Sequence, residues 1–280
     1  MSNFKARTIT GFSMVFLLLF SLWYDPWLFA GFLLIVVILG IWEFYSLFSS
    51  MEIQPQKIYG TACAAILYLL VFVFNLNEWK LHLTSWYYFP VFSAMAMFFF
   101  SFIIEIYRKK ERPFENIAFT AMGILYIALP LALLNLMYTS HSASLLGFPA
   151  YLLGYFFITW IYDTGAYLYG KQFGKHKLFE RISPKKTWEG TIAGAVVALL
   201  FAFSLSLIVA DISRTDWFVL AMLVMVFGTF GDLTESLLKR SLNIKDSGNI
   251  LPGHGGILDR FDTIFISSPF VFLYFIVRNL

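Results

Sequence analysis

Long apolar runs alternate with short polar stretches along almost the whole chain. Most runs approach the roughly 20 apolar residues that a helix needs to cross the bilayer core. Helical spans are predicted over 8–24, 27–49, 57–75, 86–107, 114–137, 148–170, 189–210, 216–236 and 257–277. The expected fold class is therefore all-α, a polytopic integral membrane protein of about nine transmembrane helices. Only Asp25-Pro26, a tight turn with a helix breaker, separates the first two runs, and a short re-entrant hairpin would give the same pattern. Residues 1–147 read as a transmembrane scaffold with possible dimer contacts, and 148–280 as a catalytic region with polar loops.

Composition agrees with the pattern. Hydrophobic residues make up 59% of the 280 residues and charged residues 13%, against about 45–50% and about 25% in a soluble domain. Mean hydropathy is +0.74. A large soluble globular core is excluded. The net charge of +3 is small, so its distribution matters more than its sum. With the N-terminus inside, every Lys and Arg except Lys80, Arg214 and Arg278 falls in a cytosolic segment or at a cytosolic span end, which is the bias that the positive-inside rule requires. Both long polar loops, 171–188 and 237–256, then face the cytosol and the C-terminus lies outside. Lys5 and Arg7 precede the first run without an obvious small-residue cleavage site, so that run is read as a span and not as a removed signal. The single Cys63 permits no internal disulfide.

The first half offers little chemistry. Glu43 and Glu105 lie within predicted spans, and an intramembrane carboxylate is a functional candidate by default. The plainer reading of Glu43, near the cytosolic end of its span, is snorkelling or an ion pair. The 33 Phe and 15 Tyr are lipid-facing and interfacial bulk. No internal repeat or low-complexity segment is visible.

Three stretches of the second half carry chemistry. The first is Asp163-Thr164-Gly165-Ala166-Tyr167, with Gly170 beyond. Gly165 and Ala166 allow close approach of a helix or ligand. Asp163 is either paired to a lysine at a packing site or borders a wet cavity. The second is Ser183-Pro184-Lys185-Lys186-Thr187-Trp188-Glu189-Gly190. Ser before Pro reads as an N-cap and N1, and a helix N-terminus with two lysines suits a phosphate. The alternative is a topogenic basic cluster. The third runs from Gly231 to Asp262, where charges and glycines crowd between two apolar runs. On a helix Asp232, Glu235, Ser236 and Lys239 share one face. Asp259 and Asp262 share another, three residues apart. Two acidic faces joined by a loop can converge on metal ions, and oxygen ligands with phosphate partners suit Mg²⁺. Lys239, Arg240 and Lys245 are assigned to phosphate oxygens. The glycines around His254 let backbone approach a ligand. An ion-paired interhelical loop is the alternative.

The run from Ser236-x-Leu238-Lys239-Arg240 through Lys245-Asp246, Gly248 and Leu251-Pro252-Gly253-His254-Gly255-Gly256-Ile257-x-Asp259-Arg260-Phe261-Asp262 resembles the signature of the phosphatidate cytidylyltransferase, or CDP-diacylglycerol synthase, family, without departure across 27 positions. The Asp163–Tyr167 and Ser183–Gly190 stretches also resemble that family's motifs, so the resemblance covers roughly residues 155–265. It implies transfer of a cytidylyl group from CTP to phosphatidate, giving CDP-diacylglycerol and pyrophosphate. It also implies a Mg²⁺ site of two-metal character, with the second ion open, and a homodimer. Asp232 and Asp259 look like its metal-binding carboxylates.

The candidate catalytic residues are Asp232, Asp259, Lys239, Lys245, Asp246 and His254. Substrate phosphates are assigned to Ser183, Lys185, Lys186, Thr187, Ser236, Arg240, Arg260 and Asp163. Metal is assigned to Asp232, Asp259, Glu235 and Asp262. The expected partners are CTP, phosphatidate, the bilayer and a second copy, with no nucleic acid. The expected location is the inner or plasma membrane of a bacterium, with the site facing the cytosol. A CTP-dependent polyprenol or phytol kinase, or a nucleotidyltransferase for another lipid phosphate, is the nearest alternative. A secondary transporter would show inverted repeats and polar groups near the midplane. Here the charges collect at span ends.

Overall fold

The computed structural model describes residues 3–48, 51–75, 89–140, 144–248, 250–251 and 255–278. They form an all-helical membrane protein with two small hairpins. The helices are α1 Asn3–Tyr24, α2 Pro26–Leu47, α3 Lys57–Asn75, α4 Phe89–Arg108, α5 Pro113–Gly123, α6 Leu129–Ser140, α7 Ala150–Phe173, α8 Trp188–Ile208, α9 Arg214–Leu223, α10 Thr229–Ser241 and α11 Leu258–Arg278. A π-turn, Ile124–Ala128, joins α5 to α6, and another, Val224–Gly228, joins α9 to α10, so each pair is one continuous rod. Strands β1 Ser144–Leu145 and β2 Phe148–Pro149 pair antiparallel, as do β3 Lys177–Phe179 and β4 Ser183–Thr187. Among the described residues, seven helical stretches are long and apolar enough to cross a membrane. The apolar part of α1, Thr8–Tyr24, is shorter.

The helix starts follow from local chemistry. Asp25 accepts a hydrogen bond from the Trp27 amide and Pro26 occupies the first turn, so Asp25-Pro26 ends one helix by starting the next. The predicted helix start at Ser183-Pro184 is corrected. Those residues lie in β4, and the cap of α8 is Thr187, whose Oγ1 accepts from the Gly190 amide at 3.2 Å. Proline's fixed φ suits a strand edge as well as a helix start, and pairing of Lys177 with Thr187 across the hairpin decides it. The span predicted over 216–236 belongs to a longer rod, Arg214–Ser241. At 28 residues it is about 42 Å long, so it outruns a hydrocarbon core of about 30 Å.

The chain divides into two compact units, one of residues 1–139 with 244–261 and the other of 140–243 with 262–280. In the first, Phe29, Leu33, Val37, Ile41 and Phe44 of α2 are fully buried. The Tyr45 hydroxyl donates to the Thr120 carbonyl at 2.6 Å. Glu105 closes a buried polar knot, accepting from Gln56, Asn116 and Arg108, each at 2.7 Å. It ties the segment before α3 to α4 and α5, which gives this intramembrane acid a structural explanation.

The second unit is built on close backbone crossings. Gly190, Gly194, Ala198 and Ala202 form a buried stripe along α8 at four-residue spacing. A Cβ on Gly194 would lie 2.8 Å from the Tyr162 carbonyl, and one on Gly190 would lie 2.5 Å from the Ala166 carbonyl. The close approach expected at Gly165 and Ala166 is therefore the packing of α7 on α8. At the opposite end of the α9 rod, Asp216 accepts from Ser213, Tyr274 and Arg278.

Candidate active site

Two polar constellations occupy the second half of the chain. The first lies in the second unit. Lys186, on β4, pairs with Asp232 at 2.6 Å. Asp163 on α7, Asp232 on α10 and Asp262 on α11 are close enough to act on one another electrostatically, and Lys186 attracts Asp163 and Asp262 as well. Lys186 thus acts on all three acids.

Glycine contacts create this meeting. A Cβ at Gly231 would press on the Asp262 carbonyl, and one at Gly228 would meet the Thr263 side chain at 2.7 Å. Only bare backbone lets α10 and α11 cross so near that Asp232, beside Gly231, and Asp262, beside Thr263, join one cluster. The π-turn ends at Gly228, just before that crossing. Single π-turns within α-helices are frequent at functional sites. Neutral groups support the acids. The Ser236 hydroxyl donates to Asp232 at 3.3 Å, and the Thr263 amide donates to Asp262 at 2.8 Å. Tyr162 and Thr229 share a hydroxyl contact of 2.5 Å.

The second constellation lies in the first unit and is organised by Glu43. This residue is 4% exposed. Its carboxylate accepts from the Ile257 amide at 2.8 Å, the Leu258 amide at 3.2 Å and the Ser247 hydroxyl. It thereby serves the first amides of α11 from another helix. The expectation of snorkelling or an ion pair is corrected, because Glu43 faces backbone donors. Asp259 accepts from the Ser247 amide at 3.1 Å, the Ser247 hydroxyl at 2.9 Å and the Gly256 amide at 2.9 Å. Gly255 has φ +85° and touches Asp259, a conformation and a proximity that a side chain would oppose.

The other candidates are placed as follows. Glu235 is buried, and Lys239 pairs with it one turn later at 2.5 Å. Arg240 lies exposed in the last turn of α10, Lys245 and Asp246 are exposed in the segment that follows, and Arg260 is exposed in the first turn of α11. Lys185 is exposed on β4, Ser183 is half-buried there, and Thr187 is buried as the α8 cap. Glu189 in the first turn of α8 accepts from the Lys175 and His176 amides, so that turn is already acidic and is a poorer anion site than the predicted one. His254 lies outside the described residues.

Among the described residues, no three His, Cys, Asp or Glu side chains form a ready-made metal cage. Two carboxylates whose metal takes its other ligands from water and phosphate are a different arrangement, and Asp232 with Asp163 or Asp262 could supply the pair.

A model of the cytidylyltransferase family matches residues 5–277. The chain belongs to the cytidylyltransferase family. It is thus a nucleotidyltransferase in an integral membrane protein, and the family expected from Ser236–Asp262 extends over almost the whole chain. Phosphatidate cytidylyltransferases of Staphylococcus haemolyticus and Staphylococcus epidermidis are 32% and 33% identical to it over 95% of this chain and 96% of theirs. That of Staphylococcus aureus (strain COL) is 40% identical over 63% of this chain, an alignment spanning 66% of that protein. The matching therefore includes the first half, where no motif was recognised and where Glu43 lies.

Proposed function

We propose that the protein is a phosphatidate cytidylyltransferase, which joins CTP and phosphatidate into CDP-diacylglycerol with release of pyrophosphate. The observation that carries this reading is the end-to-end likeness to two proteins of that name. The acid-and-lysine cluster supports it chemically. A phosphatidate phosphate oxygen attacks the α-phosphorus of CTP, a new P–O bond forms, and the bond to the bridging oxygen of the pyrophosphate breaks with its electron pair. Phosphatidate is already largely ionised near neutral pH, so no strong general base is required. The main barrier is the approach of two anions.

The residues that lower this barrier are cations near the phosphates. Lys186 pairs with Asp232 and Lys185 beside it in sequence is exposed, as are Arg240 in the last turn of α10 and Lys245 in the segment after it. The oxygen donors of Asp232 with either Asp163 or Asp262 suit Mg²⁺, which commonly takes one or two protein carboxylates together with water and substrate phosphate. When bound there, Mg²⁺ would neutralise charge on the reacting phosphates and hold them in line. Asp259, which belongs to the first unit, is proposed as a further metal-binding carboxylate on the resemblance of its motif alone. If Asp232 were to hold the metal, Lys186, now paired with that carboxylate, would be available to a substrate phosphate. By the distribution of basic residues the site faces the cytosol, where the lipid headgroup meets soluble CTP while the acyl chains stay in the bilayer. A homodimer belongs to the same proposal.

The test is incubation of purified protein with labelled CTP, phosphatidate and Mg²⁺, with identification of products. CDP-diacylglycerol and pyrophosphate are expected. Release of CDP with a phosphorylated lipid would mean a kinase and overturn the proposal.

A further inference from the structure

We infer that Glu43, in the first half of the chain, is a positioning residue of the reaction: it fixes the loop before α11 and through it aims Asp259. The inference rests on the proposed function only in taking Asp259 as part of the reacting site. Glu43 is almost wholly buried in α2. Its partners are the Ile257 and Leu258 amides and the Ser247 hydroxyl. All three belong to the segment that carries Asp259.

Ser247 links the two acids. Its hydroxyl contacts both Glu43 and Asp259, and with one proton it can donate to only one of them at a time. Its amide and that of Gly256 hold Asp259 whichever way the hydroxyl turns. Glu43 therefore engages the residue whose amide donates to Asp259.

The glycines of the loop show how closely it is moulded on Glu43. A Cβ on Gly248 would come 2.9 Å from the Glu43 carboxylate, and one on Gly256 would overlap it. A buried carboxylate is costly unless its oxygens are satisfied, and here backbone donors satisfy them. Holding a loop register over so many contacts is a different task from binding substrate, because Glu43 is enclosed by the loop itself.

The test uses the full chain with Glu43→Gln. The amide keeps the size, but both carboxylate oxygens receive backbone N–H groups, so its NH₂ must confront one of these donors. Two quantities are read: kcat against KM for CTP and phosphatidate, and hydrogen exchange of the peptide containing Ile257 and Leu258. The expected result is a kcat lower by roughly 10–100-fold, the usual cost of losing a supporting partner, with KM little changed and exchange faster. A kcat within about twofold of wild type overturns the inference. So does a loss of turnover with unchanged exchange. If Glu43→Gln does not fold, Gly248→Ala displaces the same carboxylate from the loop side and is read by the same measurements. Should the wild-type protein fail to convert CTP and phosphatidate, the function proposal falls while the exchange measurement still decides whether Glu43 holds the loop.

Discussion

Asp262→Asn should make the metal-free protein more stable and the enzyme inactive. Asp163, Asp232 and Asp262 act on one another electrostatically, with Lys186 as the cation described among them, so the folded state holds like charges together. The amide substitution removes one charge with little change of shape, and its carbonyl can still accept from the Thr263 amide, now at 2.8 Å from Asp262. Two unit charges about 4 Å apart interact by about 4 kcal/mol at an effective dielectric of about 20. Exposed pairs are worth about 1 kcal/mol or less. Asp262 is half-buried and Asp232 has a third of its side chain exposed. The attraction of Lys186 is also partly lost, so the net relief is on the order of 1–2 kcal/mol. For a chain of this size that corresponds to a rise of roughly 2–6 °C in melting midpoint. The assay is thermal melting in detergent with EDTA at one fixed scan rate, because such unfolding is rarely reversible. Added Mg²⁺ should then stabilise wild type more than the variant. A variant that melts at or below wild type in EDTA would refute the reasoning, since the three acids could not then be repelling one another in the folded protein.

Three further outcomes follow from the same geometry. Asp232→Asn and Asp259→Asn should each lower turnover by more than about 100-fold while the protein stays folded, because several kcal/mol of charge stabilisation would be lost; wild-type-like turnover in saturating Mg²⁺ would sink the metal assignment. Lys186→Ala should raise KM for a phosphate-bearing substrate by about 10–100-fold, the range of a charged hydrogen bond, and Lys185→Ala should do less, since Lys186 alone is placed among the acids; equal effects in steady-state kinetics would contradict that ranking. Gly190→Val should lower the melting midpoint, because its Cβ would lie 2.5 Å from the Ala166 carbonyl, with overpacking typically costing about 1–3 kcal/mol; an unchanged midpoint would show that α7 and α8 separate without cost.

Much of the fold was legible because bilayer physics acts on single runs of sequence. A run such as 189–210 needs no partner to be read as a helix, and the structure places α8 at Trp188–Ile208. The small-residue spacing Gly190, Gly194, Ala198 and Ala202 could likewise be read as a packing stripe, and it is buried against α7. What failed was local competition. Ser183-Pro184 satisfies the rules for a helix start, yet Lys177–Phe179 lies near enough in sequence to recruit it into a hairpin. The π-turns at Ile124–Ala128 and Val224–Gly228 leave no mark in hydrophobic pattern.

The site divides along the same line. Residue types were legible, since three acids and a cluster of lysines in so apolar a chain demand an explanation. Their grouping was not. Helical spacing placed Asp259 and Asp262 on one acidic face, but their partners differ: Asp259 is bound by the amides of Ser247 and Gly256, whereas Asp262 joins Asp163 and Asp232. Spacing along one helix fixes which way a side chain leaves the axis, and the neighbouring elements decide what it meets. Glu43 is the extreme case. Its partners come more than 200 positions later in the chain, so its own surroundings in sequence, Trp42 and Tyr45, could suggest only an interfacial acid. Nothing in the second half names it either, except that Gly248 and Gly256 leave room for a group that the loop does not contain. Glycines that are needed neither for a positive φ nor for flexibility are then the one local sign that something from elsewhere in the chain must fill the space.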